Sequence, residues 1–145
     1  MTTAVSFGGE HISAMSDAAV ARVRALESAL LEQPQLDIEI THELHAGLYA
    51  RTARLPAGCL CTGVLVLVPT VLVVVGDVDV FTEEGCVMHL RGHNVVTASA
   101  GRKQAWLAHT ETFLTMAFAT QAKTVAEAEA EFTSEAALLT TSRSR

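Results

Sequence analysis

Residues 60–75 read LCTGVLVLVPTVLVVV, and no other stretch restricts the fold so strongly. A membrane-spanning helix needs roughly 20 consecutive apolar residues. This run is shorter, contains Pro69 and is dominated by valine, whose branched Cβ favours strands. The N-terminal MTTAVSFGGEHIS has no basic region followed by an apolar stretch, so no secretory signal is expected and the chain reads as soluble and intracellular. The run is then expected to form strands, Val64–Val68 and Val71–Val75, apolar on both faces. Strands of that kind must be covered on both sides. A small all-β domain has one core, so the second face is expected to need a neighbour, either another chain or the terminal helices.

Composition points the same way. With 145 residues the chain is one domain of ordinary size, long enough to bury a core without disulfide staples. Half of it is hydrophobic and 18% is charged, against a usual charged fraction of about 25%, and the mean hydropathy is +0.33. Some apolar side chains should therefore reach the surface, where exposed patches usually mark contact surfaces. A net charge of −6, with ten scattered Lys and Arg, argues against nucleic acid or an anionic membrane as the partner. The three cysteines, Cys59, Cys61 and Cys86, are odd in number and form no CxxC pair, so small buried hydrophobes are expected rather than a disulfide.

Three regions follow along the chain. Residues 1–35 hold an extended arm and one helix: Ser16 is placed as its N-cap, Asp17 lies in its first turn, Ala19, Val20, Val23, Leu26, Leu30 and Leu31 recur at helical spacing, and Pro34 stops it. Residues 36–120 carry strand signal throughout, in the runs LDIEIT, GLYARTARL, CLCTGVLVLV, TVLVVV, DVDVFT, CVMHL, NVVTAS, QAWLAH and TFLTMAFAT, punctuated by Gly and Pro. Evenly spaced short strands with such turns predict an antiparallel sandwich or barrel. In residues 77–82, Val78 and Val80 face one way and Asp79 the other. Residues 121–145 hold a short helix capped by Thr124, with Val125, Phe132 and Leu139 seven apart, and a polar tail, TTSRSR, expected to be disordered or ordered only by contact with another chain.

Signals for chemistry are weak. His42 and His45 have HxxH spacing, but on a strand they point to opposite faces and cannot share a metal. His89 and His93 flank Arg91-Gly92 in an expected hairpin connection, Glu83, Glu84 and Gly85 read as a solvated turn, and Gly101-Arg102-Lys103 is at most a salt-bridge site. No nucleophile elbow or phosphate loop is present. No catalytic residue, metal ligand set or cofactor is expected.

Residues 41–120 resemble the cupin-type jelly rolls found among phage and bacterial sequences. The resemblance lies in THELHAGLYAR at 41–51, LPAGCLCTG at 55–63, GDVDVFTEEG at 76–85 and SAGRKQAWLAH at 99–109, with ETFLTMAFAT closing the pattern. It implies an all-β antiparallel jelly roll with an N-terminal helix and a short C-terminal helix or tail. In metal-binding cupins a strand after the turn carries an HxH-like ligand set and a later strand adds a histidine. Here the corresponding places fall within Val64–Val73 and near Phe118, where neither imidazole nor carboxylate is found. The resemblance thus carries over no catalytic residue, and the ancestral pocket is expected to be filled with branched aliphatics. In size and fold type the chain also resembles capsid cementing (decoration) proteins of short-tailed phages. That implies a non-catalytic virion protein on the capsid exterior, made in the host cytoplasm. Its partners would be the major capsid protein and a second copy of itself. Leu65, Leu67, Leu72, Val74, Val125, Phe132 and Leu139 are its expected interface residues, and truncations of 1–15 or 134–145 are expected to leave the domain folded. The alternative is a degenerate cupin that binds a small molecule or retains lyase or isomerase chemistry through His42, His45 or His109.

Overall fold

The computed structural model describes residues 9–83 and 86–139. Eight strands run in chain order with two helices: β1 (His11–Ile12), α1 (Asp17–Leu31), β2 (Glu39–His45), β3 (Leu48–Leu55), β4 (Leu60–Thr62), β5 (Thr70–Phe81), β6 (Val87–Ala98), β7 (Ala105–Ala108), β8 (Thr112–Ala119) and α2 (Val125–Phe132), with a 3-10 turn at Ala136–Leu138. The main sheet has the order β1-β6-β5-β8-β3-β2, and a smaller layer is formed where β7 pairs with both β4 and β5. All pairs are antiparallel except the short β1–β6 contact. The arrangement is the expected antiparallel sandwich, with the sheet not closed into a barrel.

Both helix starts follow their side chains. Ser16 Oγ accepts from Ala19 N, and Thr124 Oγ1 accepts from Glu127 N, each satisfying an orphan amide of the first turn. Glu83 then clasps the α1 cap, accepting from Ser16 N at 2.9 Å and Ser16 Oγ at 2.7 Å. The turn expected to be merely solvated therefore anchors a helix through Glu83, while Glu84 and Gly85 lie outside the described residues.

Strand boundaries depart from expectation in the middle of the chain. TVLVVV and DVDVFT are one strand, β5, and CVMHL and NVVTAS are one strand, β6. Gly76 and Gly92, expected to punctuate, face each other inside this hairpin. There the ribbon changes partners: β5 pairs with β8 through Val71–Val75 and with β7 through Val78–Phe81. Gly76 has φ +150° at this corner, and a Cβ on it would lie 2.8 Å from Thr112 Cα. Close backbone approach, not a turn, requires the glycine. His89 and His93 consequently stand on a continuous strand rather than in a hairpin connection.

The second correction concerns Val64–Val68, which forms no strand. In this segment, ahead of Pro69, the only ladder contact among the described residues is an isolated antiparallel bridge between Val66 and Arg102. The segment bonds irregularly instead, Val66 N to Arg102 O at 2.8 Å and Leu67 N to Phe132 O at 2.7 Å.

The core lies between the layers and takes the even-numbered residues of β5, Leu72, Val74, Val78 and Val80, with Tyr49, Leu55, Trp106, Phe118 and Phe132. Phe132 and Ala128 bring α2 against the inner side, where Tyr49, Phe118 and Phe132 stack or meet edge-on. Residues 9–15 are less an arm than a part of the fold: Ile12 is in the core and Met15 packs with Ala19 and Val23 of α1. Residues 1–8 and the tail at 140–145, for which contact-dependent order is expected, lie outside the described residues.

Candidate functional site

Two surfaces stand out, one inside the sandwich and one outside. Inside, a cavity of about 430 Å³ opens beneath α1, lined mainly by apolar side chains that include Ile38, Val64, Val66, Leu72, Trp106 and Met116. Leu31, Leu36, Leu60 and Leu138 remain exposed and line its mouth. The interior is thus not filled by branched aliphatics.

The polar groups of this cavity are few and deeply placed. Arg102 is 2% exposed. It donates from one guanidinium nitrogen to Ser99 O at 2.7 Å and from the other to Thr70 Oγ1 at 2.6 Å. All its partners are neutral, and burial pulls its pKa down to about 10. Its Nε and the side-chain nitrogen of the neighbouring Gln104 are buried without a hydrogen-bond partner. Buried donors left unpaired are costly. Cys59 and Cys61 also line the space as free thiols. The hydrogen bond from Cys61 makes Cys59 the more acidic of the two, and pushes Cys61 up with help from burial.

Lys103, read with Arg102 as at most a salt-bridge site, makes salt bridges and is wholly buried as well. Its ammonium reaches Glu27 of α1 at 3.0 Å, Gly63 O at 2.9 Å and Glu135 at 3.4 Å. Glu135 also pairs with Arg24 at 2.6 Å. Lys103 is therefore a buried clamp that fastens α1 and the segment after α2 to the sandwich.

The three histidines considered for chemistry do not meet. His42 is on the inner row of β2, its Nδ1 2.7 Å from the Tyr49 hydroxyl. Burial lowers its pKa first, and the Arg51 charge adds to this against the pull of Glu129. His45 is exposed, three residues along and on the opposite face. His109 lies beyond β7, 2.9 Å from Asp79.

Outside, the odd-numbered residues of β5 face away from the core. Val71 is 42% and Val75 40% exposed, with Val95 of β6 at 49% and Phe113 of β8 at 40%. Val73, paired with Val95 and Thr115, completes the row. At its margin Arg54 lies over the Phe113 ring at 5.8 Å and pairs with Glu111 at 2.8 Å. The helices cover the inner side, so within the described residues this apolar face has no cover.

The expected interface residues are mostly on the wrong side of the sheet. Leu72, Val74, Phe132 and Leu139 belong to the core and have no surface to offer. Leu65 and Val125 are half-buried, and Leu67 alone of the seven is exposed. The valine run has no polar residue to mark its phase. Reading it through Gly76 into Asp77 and Asp79, which face outward, sets Val71, Val73 and Val75 on the outer side.

No protein-family model and no curated protein matches the sequence. Solved structures do resemble the fold. A salicylate 1,2-dioxygenase from Pseudaminobacter salicylatoxidans aligns with a TM-score of 0.53 at 18% identity, over 80% of this chain and 35% of that one. A cupin superfamily protein from Desulfitobacterium hafniense aligns with a TM-score of 0.50 at 10% identity, over 65% and 87% of the respective chains. The chain has a cupin-like fold. A double-stranded β-helix protein from Klebsiella pneumoniae is a further neighbour, with a TM-score of 0.49 at 14% identity over 62% of this chain and 80% of that one. In this cupin-like sandwich the cavity lining, among the described residues, contains no histidine and one carboxylate, Glu27. Such a lining does not fit a metal held by imidazole and carboxylate groups.

Proposed function

We propose that this protein works by docking rather than by turnover, as a structural subunit that assembles through the outer face of its main sheet. The observation that carries the reading is the uncovered row of Val71, Val75, Val95 and Phe113. An apolar centre within a polar rim is the anatomy of a protein interface, and here the ion-paired Arg54, Glu39 and Glu111 supply a rim. A second copy of the chain is the occupant, because one patch on a two-fold axis serves both sides of an isologous contact. In its full form the proposal is a dimer that cements a phage capsid from the outside, bound over joints between major capsid proteins after synthesis in the host cytoplasm. The likeness of the chain in size and fold type to capsid cementing proteins supports that form. A standard interface takes roughly 800 Å² per partner, apolar burial contributes about 25 cal/mol per Å², and repetition over a shell adds avidity.

Sedimentation tests the first step. The purified chain is expected to run as a dimer or larger, and Val71→Lys with Val95→Glu to run as a monomer with unchanged secondary structure. A wild-type monomer at tens of micromolar would overturn the reading. For the second step, co-sedimentation with shells of a major capsid protein should be lost in the same double variant.

The cavity favours a second reading, the binding of a small amphipathic acid. Its volume of about 430 Å³ is within the range of small-molecule sites, roughly 300–1,000 Å³. A carboxylate would satisfy the unpaired Arg102 Nε and Gln104 amide while an apolar body fills the rest. Thermal shift against medium-chain fatty acids and the matching alcohols separates the readings. Stabilisation by the acids only, lost in Arg102→Met, would establish a binding site, and no response from either series would remove it.

A further inference from the structure

Beyond the Gly76 corner the outward row of β5 changes from valine to aspartate, and four side chains, from two strands and the residue after a third, converge there. Asp77 and Asp79 stand two apart on β5, His89 lies opposite Asp79 on β6, and His109 follows β7, its amide bonded to Asp77 O at 2.8 Å. Asp79 holds both imidazoles: Oδ1 lies 2.6 Å from His89 Nδ1, and Oδ2 lies 2.9 Å from His109 Nε2. The other nitrogen of His89, Nε2, lies 3.1 Å from Asp77 Oδ1. That oxygen is buried and accepts no hydrogen bond.

A neutral imidazole has one N–H. When Asp79 takes it, the bare lone pair of His89 Nε2 faces a carboxylate oxygen, and two lone pairs at this distance repel. Asp77, His89 and His109 each offer a ligand atom, and these atoms all lie within 4.8 Å of one another. Bond lengths of about 2.0–2.2 Å to nitrogen and oxygen place tetrahedral zinc ligands about 3.4 Å apart, so the His89–Asp77 pair already has the spacing and small side-chain rotations bring in His109. Asp79, on the far nitrogen of His89, is placed as the carboxylate that fixes a metal-bound imidazole.

We propose that Asp77, His89 and His109 form a surface site for a divalent transition metal, zinc in the first instance, with Asp79 orienting the histidines. Two nitrogens and a carboxylate oxygen are the donor set zinc accepts. Asp77 and His89 are mounted on paired strands, and the His109 amide is bonded to Asp77 O, which holds the three in place without the metal. Arg91 Nε, 3.4 Å from the second oxygen of Asp77, neutralises part of the charge and leaves the first oxygen for the ion. The site is separate from the cavity and from the valine face, and it depends on neither proposed role.

Calorimetric titration of the chelator-treated full chain with zinc chloride is the test. One ion per chain is expected, with affinity reduced at least tenfold in His89→Gln and in His109→Gln and unchanged in His93→Gln, on the same strand outside the cluster. Cobalt in place of zinc should give the visible absorption of a tetrahedral ion in the wild type and lose it in His89→Gln. Thermal melts without metal, unchanged among these exposed-site variants, keep folding out of the comparison. Absence of stoichiometric binding, or binding indifferent to both histidine substitutions, would overturn the proposal.

Discussion

Single residues here gain their character from which face they are on. His42 is the clearest case. Its folded pKa is depressed below the ordinary 6.5, so the unfolded chain takes up its proton first. The contribution of His42 is therefore fully present above pH 6.5 and is lost as pH falls through the lower folded value. The expected outcome is a steeper decline in stability below pH 6.5 for wild type than for His42→Gln, by at most about 1.4 kcal/mol per pH unit. Denaturant titrations at a series of pH values measure it. Position in the sequence already separated His42 from His45, because strand periodicity alone puts residues three apart on opposite faces. Burial of Arg102 and Lys103 had no such signal. Two adjacent cations beside a glycine read as at most a salt-bridge site, and only the pairing of Lys103 with acids far along the chain, at Glu27 and Glu135, reveals the interior.

Elements were legible where one local interaction defines them. The Ser16 and Thr124 caps mark both helices, because satisfying the first-turn amides is a contact between neighbours in sequence. The merging of four expected strands into β5 and β6 was not legible, because Gly76 is there for the sake of Thr112. Gly76→Ala tests that account: both the positive φ and the contact with the Thr112 backbone oppose a Cβ. A loss of about 3 kcal/mol is expected in chemical denaturation, whereas glycine in an ordinary exposed turn at negative φ would tolerate alanine. The Lys103 clamp ties α1 and the segment after α2 to the sandwich. Lys103→Met leaves Glu27 and Glu135 without their buried cation and should cost about 3 kcal/mol. Hydrogen exchange should then quicken first in α1, whose own core cluster is small.

At the scale of the whole molecule, the all-β antiparallel class followed from turn spacing, but the usable surfaces depended on phase. A valine run with no polar residue takes its phase only from Asp77 and Asp79 beyond Gly76, and the core and the outer face exchange if the phase slips by one. The outer face also sets a measurable property. A dimer built on it makes thermal stability depend on concentration, so the melting temperature of the wild type should rise with protein concentration while that of Val71→Lys with Val95→Glu stays constant. Truncations distinguish fold from contact. Removing residues 1–15 takes Ile12 and Met15 from their clusters and should abolish cooperative melting, so only removal of 1–8 leaves the described core residues in place.

The pairing of β5 also bears on how such a chain escapes aggregation while it folds. Its valines make the segment most prone to cross-β association. The partner that occupies its full length, β6, begins only five residues on, after 82–86, whereas β8 is more than thirty residues beyond its end. Hairpins close in about 1–10 μs, so one edge of the hazardous strand is masked almost at once. Pro69, just before the strand, breaks the apolar run and acts as a gatekeeper. The most dangerous sequence in the protein is thereby protected by its nearest neighbour along the chain, in the order in which a ribosome would release them.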